Sequence, residues 1–147
     1  MKIGIIGSGN IGATAARLFV KAGHHVGISN SRRGEGLDTL ISELGSNAKA
    51  MSIEDAARFG DIVLIAIPFG KYETLPSDAF KGKVVIDAGN YYPDRDGKFP
   101  QLDNDEVTSS ELLLAHLKEA RLVKAFNTIW FQHLGTQGNS NLPLEDR

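Results

Sequence analysis

The sequence contains no cysteine, which excludes disulfides, thiolate nucleophiles and cysteine-ligated metals. Neither sign of charge dominates. Sixteen Lys and Arg against 18 Asp and Glu leave a formal net charge of −2, which calls for no nucleic-acid or membrane partner. The longest apolar run, Ile62 to Phe69, is far too short to span a bilayer and ends at a proline. Four scattered histidines show no metal-ligand spacing, so no metal site is expected. The chain enters a strand at once, with no room for a signal peptide, and a cytoplasmic location is the expectation. What remains is ordinary: 147 residues, 41% hydrophobic and 23% charged, suffice for one domain with its own core.

The most informative segment runs from Lys2 to Gly12, KIGIIGSGNIG. A short apolar strand (Ile3, Ile5, Ile6) passes directly into Gly7-Ser8-Gly9-Asn10-Ile11-Gly12, and a helical pattern follows. That is the strand, glycine turn and helix of a dinucleotide-binding unit. Gly7 permits the tight turn, Gly9 lets a pyrophosphate approach the backbone, and Gly12 lets helix pack on strand. The helix N-terminus then offers unpaired N–H groups and partial positive charge to phosphates.

A second absence sharpens the first. An NAD-specific site carries Asp or Glu about 20 residues beyond the glycines, to accept hydrogen bonds from the ribose 2′-hydroxyl. No carboxylate stands between Gly12 and Glu35. Ser29, Asn30, Ser31, Arg32 and Arg33 occupy the end of the second strand instead, matching a 2′-phosphate in charge and bonding type. NADP is therefore the expected cofactor.

Along the chain, Ile11, Ala15, Leu18, Phe19 and Ala22 follow helical spacing up to Gly23. His25–Ser29 is the second strand. Leu37, Leu40, Ile41 and Leu44 mark a second helix ending at Gly45, and Lys49–Met51 a short third strand. Ser52 with Asp55 forms a capping pattern for a helix that stops near Gly60. Asp61–Ile67 reads as a central strand buried on both faces, and Lys83–Asp87 as the fifth strand. Ala88–Val107 reads as a long loop. Thr108 and Glu111 open another helix, and Leu122–Phe126 is the sixth strand. The fold class is α/β, a Rossmann-like doubly wound parallel sheet of order 3-2-1-4-5-6. The domain spans 1–135, with 136–147 a polar, loose tail.

In such sheets the ligand lies beyond the carboxyl ends of the strands. That rule adds Ala66, Ile67, Pro68 and Phe69 after the fourth strand, with backbone and the Phe69 ring flanking the nicotinamide. It adds Ala88, Gly89 and Asn90 after the fifth, and Asn127 and Thr128 on the substrate side after the sixth. Hydride transfer needs orientation and exclusion of water more than a side-chain acid, so no catalytic residue is assigned. His24 and His25 lie at the wrong end of the sheet, His116 reads as packing, and His133 alone follows the site-facing end of a strand.

These segments (IGIIGSGNIG, SNSRR, DIVLIAIPFG, GKVVIDAGNYYP and LVKAFNT) in this order resemble the NADP oxidoreductases dependent on the deazaflavin coenzyme F420. The resemblance implies a Rossmann-like domain that binds NADPH and exchanges a hydride with a deazaflavin or flavin ring, its small-molecule acceptor. It implies pyrophosphate contacts at Ser8, Asn10 and Ile11 and 2′-phosphate contacts at Ser29, Ser31, Arg32 and Arg33. Ile67, Pro68 and Phe69 would lie near the nicotinamide. The chain departs from the family at Asn127, where members acting on the deazaflavin carry histidine. The family also continues past this chain's end, which implies an acceptor pocket either incomplete or supplied by a partner, and an exposed sixth strand favouring a homodimer. An NADP-binding or sensing module without turnover is the alternative.

Each charge-assisted hydrogen bond contributes roughly 1.5–3 kcal/mol. Replacing Arg32 and Arg33 together by Ala is expected to weaken NADPH binding by about a hundredfold with little effect on NADH, as titration calorimetry with both nucleotides would show.

Overall fold

A computed structural model describes residues 1–31, 36–138, 141 and 143. Among the described residues six parallel strands form one sheet in the order β3-β2-β1-β4-β5-β6, as the alternation of strands and helices implies. They are β1 (Lys2–Ile6), β2 (His25–Ser29), β3 (Ala48–Ala50), β4 (Ile62–Ile65), β5 (Val84–Asp87) and β6 (Arg121–Lys124). The helices are α1 (Asn10–Lys21), α2 (Asp38–Leu44), α3 (Ile53–Phe59), α4 (Pro93–Asp96), α5 (Pro100–Asp103), α6 (Ser109–His116) and α7 (Phe131–Thr136).

The central strands are apolar on both faces, and each face has its own core. Ile3, Ile5, Val26, Ile28 and Leu64 pack with Ala15 and Ala16 of α1 and Leu44 of α2. Ile6, Val63, Ile65 and Val85 pack with Ala56 and Ala57 of α3, Phe80, and Leu113 and Leu117 at α6. Alternation sends Gly4 to the α3 side, where it has no side chain to place. A Cβ there would stand 2.1 Å from the Ala56 carbonyl oxygen, so α3 rests directly on the backbone of β1.

The helix ends follow the local chemistry. At the end of α1, Gly23 (φ 83°) donates its N–H to Val20 and His24 donates to Phe19, a Schellman stop that also brings the Phe19 and His24 rings together. Thr108 and Glu111 make a reciprocal capping box for α6. Ser52 caps α3 by accepting the Asp55 N–H, but the Asp55 carboxylate returns to the Ser52 hydroxyl instead of its backbone.

Several boundaries differ from the sequence expectation. β3 starts and ends one residue early, because the small Ala48 is the residue that fits against Val26. β6 stops at Lys124, short of Phe126, whose φ of 66° no strand accommodates. The crossover from β4 to β5 is made by 3-10 turns at Phe69–Thr74 and Ser77–Phe80, with no α-helix. Within the stretch expected to be a loop, α4 and α5 are single helical turns, each opened by a proline at its first position. The short α7 had no counterpart in the sequence reading; it packs on α1, with Gly135 facing Thr14. No helix among the described residues is long and apolar enough to cross a membrane.

Replacing Gly4 by Ala would drive a methyl group into the α3 backbone. A loss of about 1–3 kcal/mol is expected in urea denaturation, with an unchanged slope.

Candidate functional site

The strand ends share one edge, and their backbone bonds step across it. Gly7 N–H donates to Ser29 O at 3.0 Å, Ala66 N–H to Ile6 O at 2.8 Å, Ala88 N–H to Ile65 O at 3.0 Å and Ala125 N–H to Asp87 O at 3.1 Å. The segments after β1, β2, β4, β5 and β6 thus emerge side by side.

The three glycines of the first loop differ in what confines them. Gly7 has φ 107°, and a Cβ on it would lie 2.3 Å from the Ala66 carbonyl oxygen. On Gly12 a Cβ would lie 1.9 Å from the Gly7 carbonyl oxygen. Both are therefore required by the fold itself. At Gly9 a Cβ would meet nothing within 4 Å. Gly9 is the N-cap of α1, its φ of −70° suits any residue, no side chain caps the helix, and no acidic residue stands in the first turn. The space and the positive helix end fit an anionic group pressed against this backbone. Ser8 and Ile11 are half-buried around it, and Asn10 is exposed.

On the second turn, Ser29 is 0% exposed and its hydroxyl donates to Ile5 O at 3.3 Å. Its hydroxyl is engaged inside the sheet, which leaves the exposed Ser31 as the described hydroxyl facing solvent there; Asn30 is buried. Arg32 and Arg33 lie outside the described residues.

After β4, Ala66 and Ile67 are half-buried and Pro68 is exposed. The Phe69 ring is only 5% exposed. It stacks on Tyr72 at 4.8 Å and meets Tyr91 and Phe99 edge-on, so what this segment offers the crevice is mainly backbone and Ile67. The ring expected to flank the nicotinamide is thus held among Tyr72, Tyr91 and Phe99. His116 likewise packs, edge-on to Tyr72 with its Nε2 2.8 Å from Leu75 O. His133 is exposed on α7 beside Trp130.

After β5, Ala88, Gly89 and Asn90 are half-buried, and the Asn90 amide donates to Asn127 O at 2.7 Å. That bond brings together two segments assigned separately to cofactor and substrate; Thr128 beside it is exposed. Arg95 donates to Asn90 O at 2.6 Å and to Asp96 at 2.7 Å. Burial works to raise the Asp96 pKa, but the guanidinium of Arg95 and the amides of Tyr92 and Gly70 outweigh it and hold the carboxyl below its usual value. None of Asp87, Arg95, Asp96, Ser110 and Lys124 stood out in the sequence, although a carboxylate closing an apolar strand at Asp87 was a visible signal. Among the described residues no group of His, Asp or Glu is arranged to hold a metal ion.

Sheet order and the strand-turn-helix geometry give the molecule a Rossmann-like fold. The chain belongs to the family "NADP oxidoreductase coenzyme F420-dependent", whose model matches residues 2–91. Its fold is shared with a hypothetical protein of Sinorhizobium meliloti, at 28% identity and TM-score 0.79 over 95% of this chain and 67% of that one. A candidate F420-dependent NADP-reductase of Arthrobacter sp. FB24 is similar at 23% identity and TM-score 0.77, over 90% of this chain and 65% of that one. An imine reductase of Bacillus cereus shares the fold at 18% identity and TM-score 0.63, over 84% of this chain and 39% of that one. The chain thus spans about two thirds of the first two proteins or less, and far less of the third. No curated protein matches the sequence.

Because nothing in the fold confines Gly9, Gly9→Val should cost about 1 kcal/mol or less of stability in thermal melts. It should weaken NADPH binding by at least about tenfold in calorimetry, since the isopropyl group fills the space beside the helix end.

Proposed function

We propose that this chain binds NADPH along the ends of β1, β2 and β4 and serves hydride transfer to a planar redox ring, a deazaflavin such as coenzyme F420 or a flavin. The observation that carries the reading is Gly9. It is the one glycine of the fingerprint that the protein's own packing does not demand, and it lies at an uncapped helix N-terminus. Family membership supports the same cofactor.

Bound NADPH would supply the hydride, two electrons with one proton, to an acceptor laid against its nicotinamide. The chain's part is to bind, orient and exclude water. Backbone amides between Ser8 and Gly12 hold the diphosphate, aided by the α1 dipole. Ser31 with Arg32 and Arg33 reads the 2′-phosphate, and the missing carboxylate on that turn removes the group that would favour NAD. Ala66, Ile67 and Pro68 support the nicotinamide from β4, while Gly89, Asn90 and Asn127 close the far side. Hydride transfer between two rings depends on orientation more than on a side-chain acid, and the proton that the reduced ring also takes up comes from solvent.

Mixing the protein with NADPH and, in turn, F420, FMN, FAD and a ferric chelate tests the reading. Loss of absorbance near 340 nm, the reduced nicotinamide band, is expected with the deazaflavin or a flavin. Binding without oxidation by any acceptor would leave an NADP-binding module, and no binding of NADPH would remove both.

A further inference from the structure

We propose that Asp87 and Lys124 are positioning residues whose ion pair clamps the backbone of Gly89 and so fixes the wall on which the nicotinamide half of the dinucleotide rests. This rests on the reading of the crevice as an NADPH site.

The two residues face each other in the β5–β6 register, at the last position of each strand. The Asp87 side chain is 5% exposed and that of Lys124 31%. Burying the Asp87 carboxylate is expensive, and an apolar pair of similar size would join two strands at least as well. A bare staple therefore does not account for the choice of residues. What an apolar pair lacks is the reach to the two peptide groups that flank one residue. Asp87 Oδ1 accepts the Gly89 N–H at 2.8 Å, and Lys124 Nζ donates to the Gly89 carbonyl oxygen at 2.5 Å. Asp87 Oδ2 takes Lys124 Nζ at 2.9 Å and the Ser110 hydroxyl of α6 at 2.8 Å, so the buried carboxylate is well provided with donors.

The clamped residue lies in the crevice wall. A Cβ on Gly89 would come 3.8 Å from Ile67 O, and one on Gly7 would come 3.0 Å from Ile67 Cγ2. Gly7, Ile67 and Gly89 are thus consecutive neighbours along the edge that carries the phosphate loop. The next residue, Asn90, is tied to Asn127 and Arg95, so the clamp passes its orientation to the loop after β6. The ion pair sits under the nicotinamide end of the edge and is separated from the phosphate loop by Ile67.

That separation gives the test. Calorimetry on the full chain compares NADPH with 2′,5′-ADP, which carries the adenosine phosphates and lacks the nicotinamide half. Lys124→Met is expected to weaken NADPH by about tenfold, to leave 2′,5′-ADP within about twofold, and Lys124→Arg to restore most of the loss. The double variant Asp87→Asn with Lys124→Met removes both charges. It gives the same comparison should the single variant, left with an unpaired carboxylate, not fold. Equal losses for both ligands in the folded variant would make the pair a structural staple and overturn the proposal, as would no loss for either. Wild-type protein that binds neither ligand would instead overturn the NADPH site itself.

Discussion

The approach of α1 to the peptide at Gly7 governs the whole functional edge. With Gly12 set so that any Cβ would collide with the Gly7 carbonyl, and Gly7 so that any Cβ would collide with Ala66, three stretches of backbone touch without side chains between them. The end of β1, the start of α1 and the end of β4 are therefore held in one rigid contact. Only at backbone contact distance does the first turn of α1 sit over the sheet edge, where its unbonded amides and dipole act on the space beside Gly9. The same device recurs on the opposite face, where Gly4 and Gly60 admit close backbone approach beneath α3.

The segment after β5 is held by other means. Gly70 again brings backbone against backbone, here with Asp96, and the Asp96 carboxylate gathers the Tyr92 amide and the Arg95 guanidinium. Above it, Phe69, Tyr72, Tyr91 and Phe99 interlock edge-on and stacked, and the Tyr91 hydroxyl bonds Gly97 O and Asp103. Desolvation of that hydroxyl, with Asp103 beside it, raises its pKa, so it stays a neutral donor. Among the described residues no buried side-chain polar atom is without a partner. A connection with little regular structure is thereby made stiff enough to carry one side of the crevice.

What was legible in the sequence was local or periodic. The glycine turn and the caps at Ser52 and Thr108 each depend on residues a few positions apart, and the sheet order follows from the alternation of strands and helices, so spacing and periodicity display them directly. Strand ends were less legible, because they depend on what the neighbouring strand offers: Ala48 against Val26, or the φ of Phe126 that ends β6. The fate of side chains in the crevice was least legible. Ser29 turned inward because Ile5 O lies under it, and Phe69 because, besides its near neighbour Tyr72, the rings of Tyr91 and Phe99 await it from distant segments. The Asp87, Ser110 and Lys124 network joins residues 23 and 37 positions apart, a distance at which no spacing rule operates.

The outermost strand has a consequence for solubility. β6 is only four residues long, its Val123 is 50% exposed, and it forms one border of the sheet among the described residues. Such a border is a template for sticking to another chain. Antiparallel alignment of two copies about Leu122 and Val123 would, however, set Arg121 of each against Lys124 of the other, cation facing cation. Lys124 is also drawn inward to Asp87 and is not free to turn away from the strand. The lysine paired with Asp87 is thus also one member of each cationic pair that this antiparallel register would create.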